Sequence, residues 1–451
     1  MSDPVAGTLA EHVARLFPAV RADLESLVRI PSVSAEGADT PGMMACATRV
    51  EELLAAEGLA VRSLEVPGAP PAIFAEHPAT AGMPTVLLYA HYDVQPAGDP
   101  ELWSVAPFEP VERDGRLYGR GASDDKAGVA MHLGVLRALR AADGIPVGVK
   151  VIVEGEEEQG SPHILDLLAR HGDLLEADAI VIADSEHWNV GTPALTTTLR
   201  GLVDCVVEVQ TLDHGVHSGQ FGGAVPDALT TLVRVLATLH EDDGSPAIAG
   251  LVRAPDPTVE VEETEFRTSA GVLDGVTLVD SGPLSARLWA RPAISILAID
   301  APRVSEAINQ LVPVARAKVS LRVPPGQDDT DALDALVAHL EAAVPWGARV
   351  TVTRGSSAPG FALAERGAAF AAFADGMREA WGVAPAEIGV GGTIPLISLF
   401  AKRFPSAAVL VTGVGEPTSR IHGPDESQDL GELQRSILGE AIALQLLAAR
   451  R

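Results

Sequence analysis

The chain is poor in cysteine and in positive charge, and it has no long apolar run. Its 451 residues include two cysteines, Cys46 and Cys205, far apart in sequence. Two such residues make no disulfide framework, so the expected setting is a reducing cytoplasm. Only 33 Lys and Arg stand against 61 Asp and Glu, a formal net charge of −28. That balance repels phosphate backbones and anionic lipid, so neither nucleic acid nor a membrane is an expected partner. It does not argue against a small substrate, because a local site can carry the opposite sign. Apolar runs such as Ala179–Ala183 fall far short of the roughly 20 residues that span a bilayer. The first residues, Met-Ser-Asp-Pro-Val-Ala-Gly, carry neither the basic stretch nor the apolar stretch of a secretory signal, so none is expected. No internal repeat or low-complexity tract is visible.

The hydrophobic content, 47%, suits a large core, and the length exceeds what one simple core serves. Two domains are expected. Helical patterns cover residues 8–29 and Met43–Glu57, the second stopped by Gly58. Apolar runs at Thr85–Ala90, Val149–Val153 and Ala179–Ala183 read as strands buried on both faces. Each delivers polar residues at its C-terminal end: His91 and Asp93, then Glu156 to Glu158, then Asp184. In open α/β sheets that end is where sites are built. The βα alternation implies a mostly parallel sheet with helices on both faces.

After Leu199-Arg200-Gly201 the texture changes. Leu202–Gln210 alternates like a half-exposed strand, and a glycine-rich loop from His214 to Gly223 leads into a helix near Pro226. Asp242–Pro292 reads as irregular. Strands at Ile294–Ala298, Val314–Val323 and Arg349–Thr353 with a helix at Asp331–Ala343 suggest an α+β sandwich. The first texture then returns, with helices at Ala364–Trp381 and Leu430–Ala449 and a strand at Val409–Thr412. The expected organisation is one α/β domain, residues 1–199 and 357–451, interrupted by an inserted α+β domain, residues 200–356.

The stretch Tyr118-Gly-Arg-Gly-Ala-Ser-Asp-Asp-Lys-Ala-Gly128 places Asp124 and Asp125 in a glycine-bracketed turn before a helix. Alone it reads as a capped helix start, where a carboxylate is favoured by the backbone N–H groups. Taken with His91, Glu158, Asp184 and His422 it reads differently. Two histidines and three carboxylates form a ligand set suited to a pair of Zn²⁺-like ions, one carboxylate being shared. Such a pair lowers the pKa of a bridging water and clamps a carbonyl oxygen.

Seven stretches, in order along nearly the whole chain, carry a resemblance: His91-Tyr-Asp93, Gly119-Arg-Gly-Ala-Ser-Asp-Asp-Lys126, Glu154-Gly-Glu-Glu-Glu-Gln-Gly-Ser161, Ile182-Ala-Asp-Ser185, Val216-His-Ser-Gly219, Gly391-Gly-Thr-Ile-Pro395 and His422-Gly-Pro-Asp-Glu426. They resemble the co-catalytic di-zinc metallopeptidases. That group includes carnosinases, cytosolic dipeptidases, aminoacylases, carboxypeptidase G, acetylornithine deacetylase and succinyl-diaminopimelate desuccinylase. The resemblance implies that Asp124 bridges two metals, Zn²⁺ first, Mn²⁺ or Co²⁺ as alternatives. His91 and Asp184 would complete one site, Glu158 and His422 the other. Glu157 would be the general base, and Asp93 would orient His91, although a turn-capping Asp93 reads equally well from the sequence. A cis peptide bond is implied after Asp124. The inserted domain is implied to be a lid and dimerisation domain. In a homodimer, His217 would hold the oxyanion in the partner's site, and Asn309 would reach the same site. Arg322 would bind the substrate carboxylate, with Gly392, Thr393 and Ile394 contacting that end. Ala358-Pro359 departs from relatives that carry a histidine before the proline. The implied activity is hydrolysis of dipeptides or related small peptides, which Tyr92–Pro96 and His217–Gly223 favour. An N-acyl-amino-acid deacylase or desuccinylase is the alternative, and a non-catalytic interaction module is the alternative of another class.

Overall fold

The computed structural model describes residues 4–392 and 394–450. The chain divides into two compact units: Met1–Thr197 with Leu363–Ile388 and Leu399–Arg451, and Thr198–Ala362 with Gly389–Ser398.

The first unit is built on a mixed sheet. Its strands run in the order Ala60–Leu64, Ala72–His77, Gly148–Glu154, Thr85–His91, Ala179–Ile182, Ala408–Val411, Ala194–Leu199. The three central pairings are parallel and the flanking ones antiparallel. The central strands are continuous apolar runs because both faces are covered. Val86, Leu88, Ala90, Val149, Val151 and Val153 pack into one core with the helices Pro4–Val28, Pro41–Ala56, Lys126–Ala141, Ala368–Trp381 and Leu430–Ala449. On the other face Tyr89 meets Phe400 of helix Pro395–Arg403 edge-on, with ring centroids 6.2 Å apart. Local chemistry sets the helix starts. The Thr40 hydroxyl accepts from Met43 N, and Asp429 caps the closing helix by accepting from Glu432 N at 2.8 Å.

The second unit is an antiparallel sheet in the order Ala293–Asp300, Val314–Val323, Gly201–Gln210, Arg349–Ala358. Val203, Cys205, Val207 and Val209 alternate inward and are buried against helices Ala228–Ala237 and Asp329–Ala342. The region read as irregular contains a short helix, Glu263–Ser269, and a π-helical turn, Ala286–Ala290. Strand Ala386–Val390, also unforeseen, precedes the glycine-rich turn. The second unit takes in Gly389–Ser398 because Arg200 binds that turn. Its backbone N–H donates to the Val390 carbonyl at 3.2 Å, and its Nε donates to the Gly391 carbonyl at 3.2 Å.

Candidate metal centre

Parallel strands that stop at a common sheet edge bring distant residues together. His91 ends strand Thr85–His91, and Glu157 and Glu158 open a helical turn just after Gly148–Glu154. Asp184 follows Ala179–Ile182. Asp124 lies in the turn before helix Lys126–Ala141, and the Asp124–Asp125 peptide bond is cis. His422 comes from a loop near the C-terminus, in the left-handed region at φ +64°.

Among the described residues, two groups of ligand atoms converge: His91, Asp124 and Asp184, and Asp124, Glu158 and His422. His91 Nε2 lies 3.0 Å from Asp124 Oδ1 and 3.8 Å from Asp184 Oδ1. His422 Nε2 lies 3.0 Å from Asp124 Oδ2 and 3.0 Å from Glu158 Oε2. Asp124 is the shared member, offering one oxygen to each side. The other oxygen of Asp184, Oδ2, is buried without a hydrogen-bond partner. An orphaned carboxylate oxygen costs free energy that a cation relieves. This nitrogen and oxygen donor set fits two zinc-class divalent ions.

Neighbouring groups hold these side chains. His91 Nδ1 lies 3.1 Å from the Asp93 carbonyl and 3.2 Å from its carboxylate. The same carboxylate accepts from Glu157 N at 3.2 Å and Glu158 N at 3.1 Å. Asp93 therefore links the His91 strand end to the Glu157–Glu158 turn. Gln95, unnoticed in the sequence beyond its motif, clamps Glu158. Its backbone N donates to Oε1 at 3.1 Å and its Nε2 to Oε2 at 2.9 Å. Asp125 accepts from His91 N at 3.2 Å.

The electrostatics follow from buried negative charge. Burial first, then the carboxylates of Asp124, Glu154 and Glu158, push Glu157 up to about 8 against the opposing influence of His91. Burial and Glu157 raise Asp184 well above its ordinary value. Burial also acts to raise Asp124, but the hydrogen bonds from His422 and His91 outweigh it and hold Asp124 low. Hydrogen bonds to Asp124 and Glu158 raise His422 to about 10.

The other expected residues lie in the second unit. His217 and Asn309 come together on one ribbon. Val216–His217 pairs with Gln310–Leu311, and the Asn309 carbonyl accepts from Ser218 N at 3.0 Å. Both are exposed, and His217 Nδ1 accepts from Gly219 N at 3.0 Å. Arg322 is half-buried on strand Val314–Val323, opposite Leu202. Gly392 and Ile394 lie on the turn bound by Arg200, and both are half-buried. Thr393 is outside the described residues.

Residues 87–441 match the sequence pattern of peptidase family M20/M25/M40. The chain belongs to this family. It is therefore an enzyme, a peptidase, as the motifs implied. This peptidase is 39% identical over 368 residues to a cysteinylglycine-S-conjugate dipeptidase of Corynebacterium striatum, covering 79% of this chain and 80% of that protein. It is 29% identical over 388 residues to the Beta-Ala-His dipeptidase of Mus musculus, covering 79% and 76%. Its fold matches that of the dipeptidase Dug1p from Saccharomyces cerevisiae, with TM-score 0.81 and 24% identity over 100% of this chain and 99% of that one. It also matches human carnosine dipeptidase 1, with TM-score 0.79 and 24% identity over 99% and 100%. No helix of the peptidase, among the described residues, is long and apolar enough to cross a membrane.

Proposed function

We propose that this peptidase is a two-metal dipeptidase whose ligands are His91, Asp124, Glu158, Asp184 and His422, with Glu157 as general base. The observation that carries the reading is the pair of ligand groups sharing Asp124 in a chain of this family. The names of the relatives, a cysteinylglycine-conjugate dipeptidase and a Beta-Ala-His dipeptidase, support short dipeptides as substrates. Zinc is the proposed metal, with Mn²⁺ or Co²⁺ acceptable to the same donors.

Bound divalent ions would supply Lewis acidity and a water of lowered pKa at this edge of the sheet. The rest of the chemistry belongs to the chain. Glu157 takes a proton from the attacking water and returns it to the leaving amine, a role suited to a half-buried carboxyl whose affinity for protons is raised. Asp93 holds His91 and both backbone N–H groups of the Glu157–Glu158 turn, so the base and a ligand keep a fixed spacing. Arg322 binds the substrate carboxylate through its guanidinium, with Gly392, Thr393 and Ile394 at that end. His217, and with it Asn309, serves the site of a second copy, His217 donating to the oxyanion. In this reading residues 200–356 are the lid and dimerisation domain. A second copy is supported by the edge strand Ala293–Asp300, on which Ile296, Leu297 and Ile299 are 41%, 59% and 45% exposed. The two cysteines are free and buried, which supports a cytoplasmic setting.

The test is turnover of metal-loaded protein on Cys-Gly, carnosine, Ala-Ala and N-acetyl amino acids. Dipeptide turnover that exceeds N-acetyl turnover supports the reading. Turnover confined to the N-acetyl compounds moves the assignment to the deacylase branch.

A further inference from the structure

The turn that carries Asp124 leaves backbone donors outside any helix or strand, and a buried donor needs an acceptor. One side chain supplies it. Glu426 is fully buried. Its Oε1 accepts from Ser123 N and Asp124 N, both at 3.0 Å. Its Oε2 accepts from Gly121 N at 3.0 Å and from Arg120 Nη1 at 2.6 Å. The Glu426 carbonyl accepts from Gly119 N at 2.9 Å. Arg120 in turn lies over the Trp103 ring, 5.3 Å from its centroid, and its Nη2 reaches the Gly423 and Pro96 carbonyls at 3.4 Å.

Glu426 also closes the loop that presents His422. Three non-glycine residues of that loop, Arg420, His422 and Asp425, sit at φ +54°, +64° and +59°. Such conformations persist where surrounding contacts over-determine them. Asp425 is tied down by Ser104 N, 2.7 Å from its Oδ1, and Ser427 N donates to the Ser419 carbonyl at 2.9 Å. Glu426, lying between these two anchors, extends the hold to the Asp124 turn, 302 residues away in sequence.

We propose that Glu426 is a positioning residue that sets Asp124 against His422, so that one buried carboxylate fixes the placement of two metal ligands from opposite ends of the chain. The proposal rests on the metal reading above. It assigns Glu426 no contact with substrate.

The experiment is calorimetric titration of metal-free, full-length protein with Zn²⁺, beside its thermal unfolding. Glu426→Gln keeps the shape but turns an amide group toward donors. Loss of an outer hydrogen-bond partner of this kind weakens metal binding by about 10–100-fold, and that loss is expected here. Arg120→Met removes one of Glu426's four donors, so a smaller loss in the same direction is expected. It serves as the test if Glu426→Gln does not fold. Glu440→Gln is the control for a merely structural role. Glu440 is another buried carboxylate of the same unit, 2.9 Å from His132 Nδ1, and its loss lowers thermal stability while leaving Zn²⁺ affinity unchanged. Folded Glu426→Gln with wild-type affinity overturns the proposal, as does a loss in Glu440→Gln as large as in Glu426→Gln. Arg120→Met with wild-type affinity likewise counts against it. Wild-type protein that binds no Zn²⁺ would instead overturn the metal reading on which it stands.

Discussion

At the scale of single residues, Asp124 and Glu157 divide the work proposed for the site. Asp124 gives an oxygen to each ligand group, so Asp124→Ala should abolish binding of both ions, read as metal content after dialysis. Glu157 lies beside a ligand without being in either group. Glu157→Gln should therefore keep its metal while kcat falls by roughly 10²–10⁴-fold. A third prediction concerns His187, away from the site. It is buried, its Nδ1 accepts from Ala194 N at 3.3 Å and its Nε2 lies 2.9 Å from Ser436 Oγ. Burial lowers it from 6.5 to about 4, so the folded state stays neutral where the unfolded chain takes up a proton. Stability from this group is complete above pH 6.5. It falls as pH drops, by about 3 kcal/mol in all by pH 4. Urea unfolding across that range should show the slope, and His187→Asn should flatten it. Of the proposed ligands, His91, Glu158 and Asp184 were legible in the sequence because they follow apolar runs, Asp124 and His422 only because they belong to the motifs that carry the resemblance. Glu426, Gln95 and Asp125 were not. Their role is to accept from or donate to groups whose proximity only folding creates, and neither spacing nor composition reports that.

At the scale of elements, helix Lys126–Ala141 shows how tightly its start is packed. A Cβ on Gly128 would lie 2.2 Å from Asp125 Oδ1, and that carboxylate also accepts from His91 N. Gly128→Ala should therefore destabilise the first unit by roughly 1–3 kcal/mol, the usual cost of overpacking, as a lower urea midpoint. The buried strands were readable from their apolar runs. Their order was not, because pairings such as Ala408–Val411 with Ala179–Ile182 join segments far apart in the chain. The short helix Glu263–Ser269 escaped notice because it is exposed and buries no residue that a period could reveal. Strand Ala386–Val390 is two-fifths buried and glycine-containing, with the same result.

At the scale of the whole molecule, the two units carry different chemistry. The proposed ligands and base all belong to the first, and His217, Asn309 and Arg322 to the second. The exposed apolar edge strand Ala293–Asp300 is the feature that a second copy would cover. Charge on that edge, as in Ile296→Lys with Ile299→Lys, should shift the protein toward monomer in sizing chromatography with light scattering. If His217 serves a partner's site, turnover should fall with dimer content. The most direct test of a two-metal site is titration of metal-free protein with Zn²⁺ while hydrolysis of a dipeptide such as Cys-Gly is read. Activity is expected to rise to its maximum at two equivalents per chain. A maximum reached at one equivalent, or turnover indifferent to metal, would contradict it.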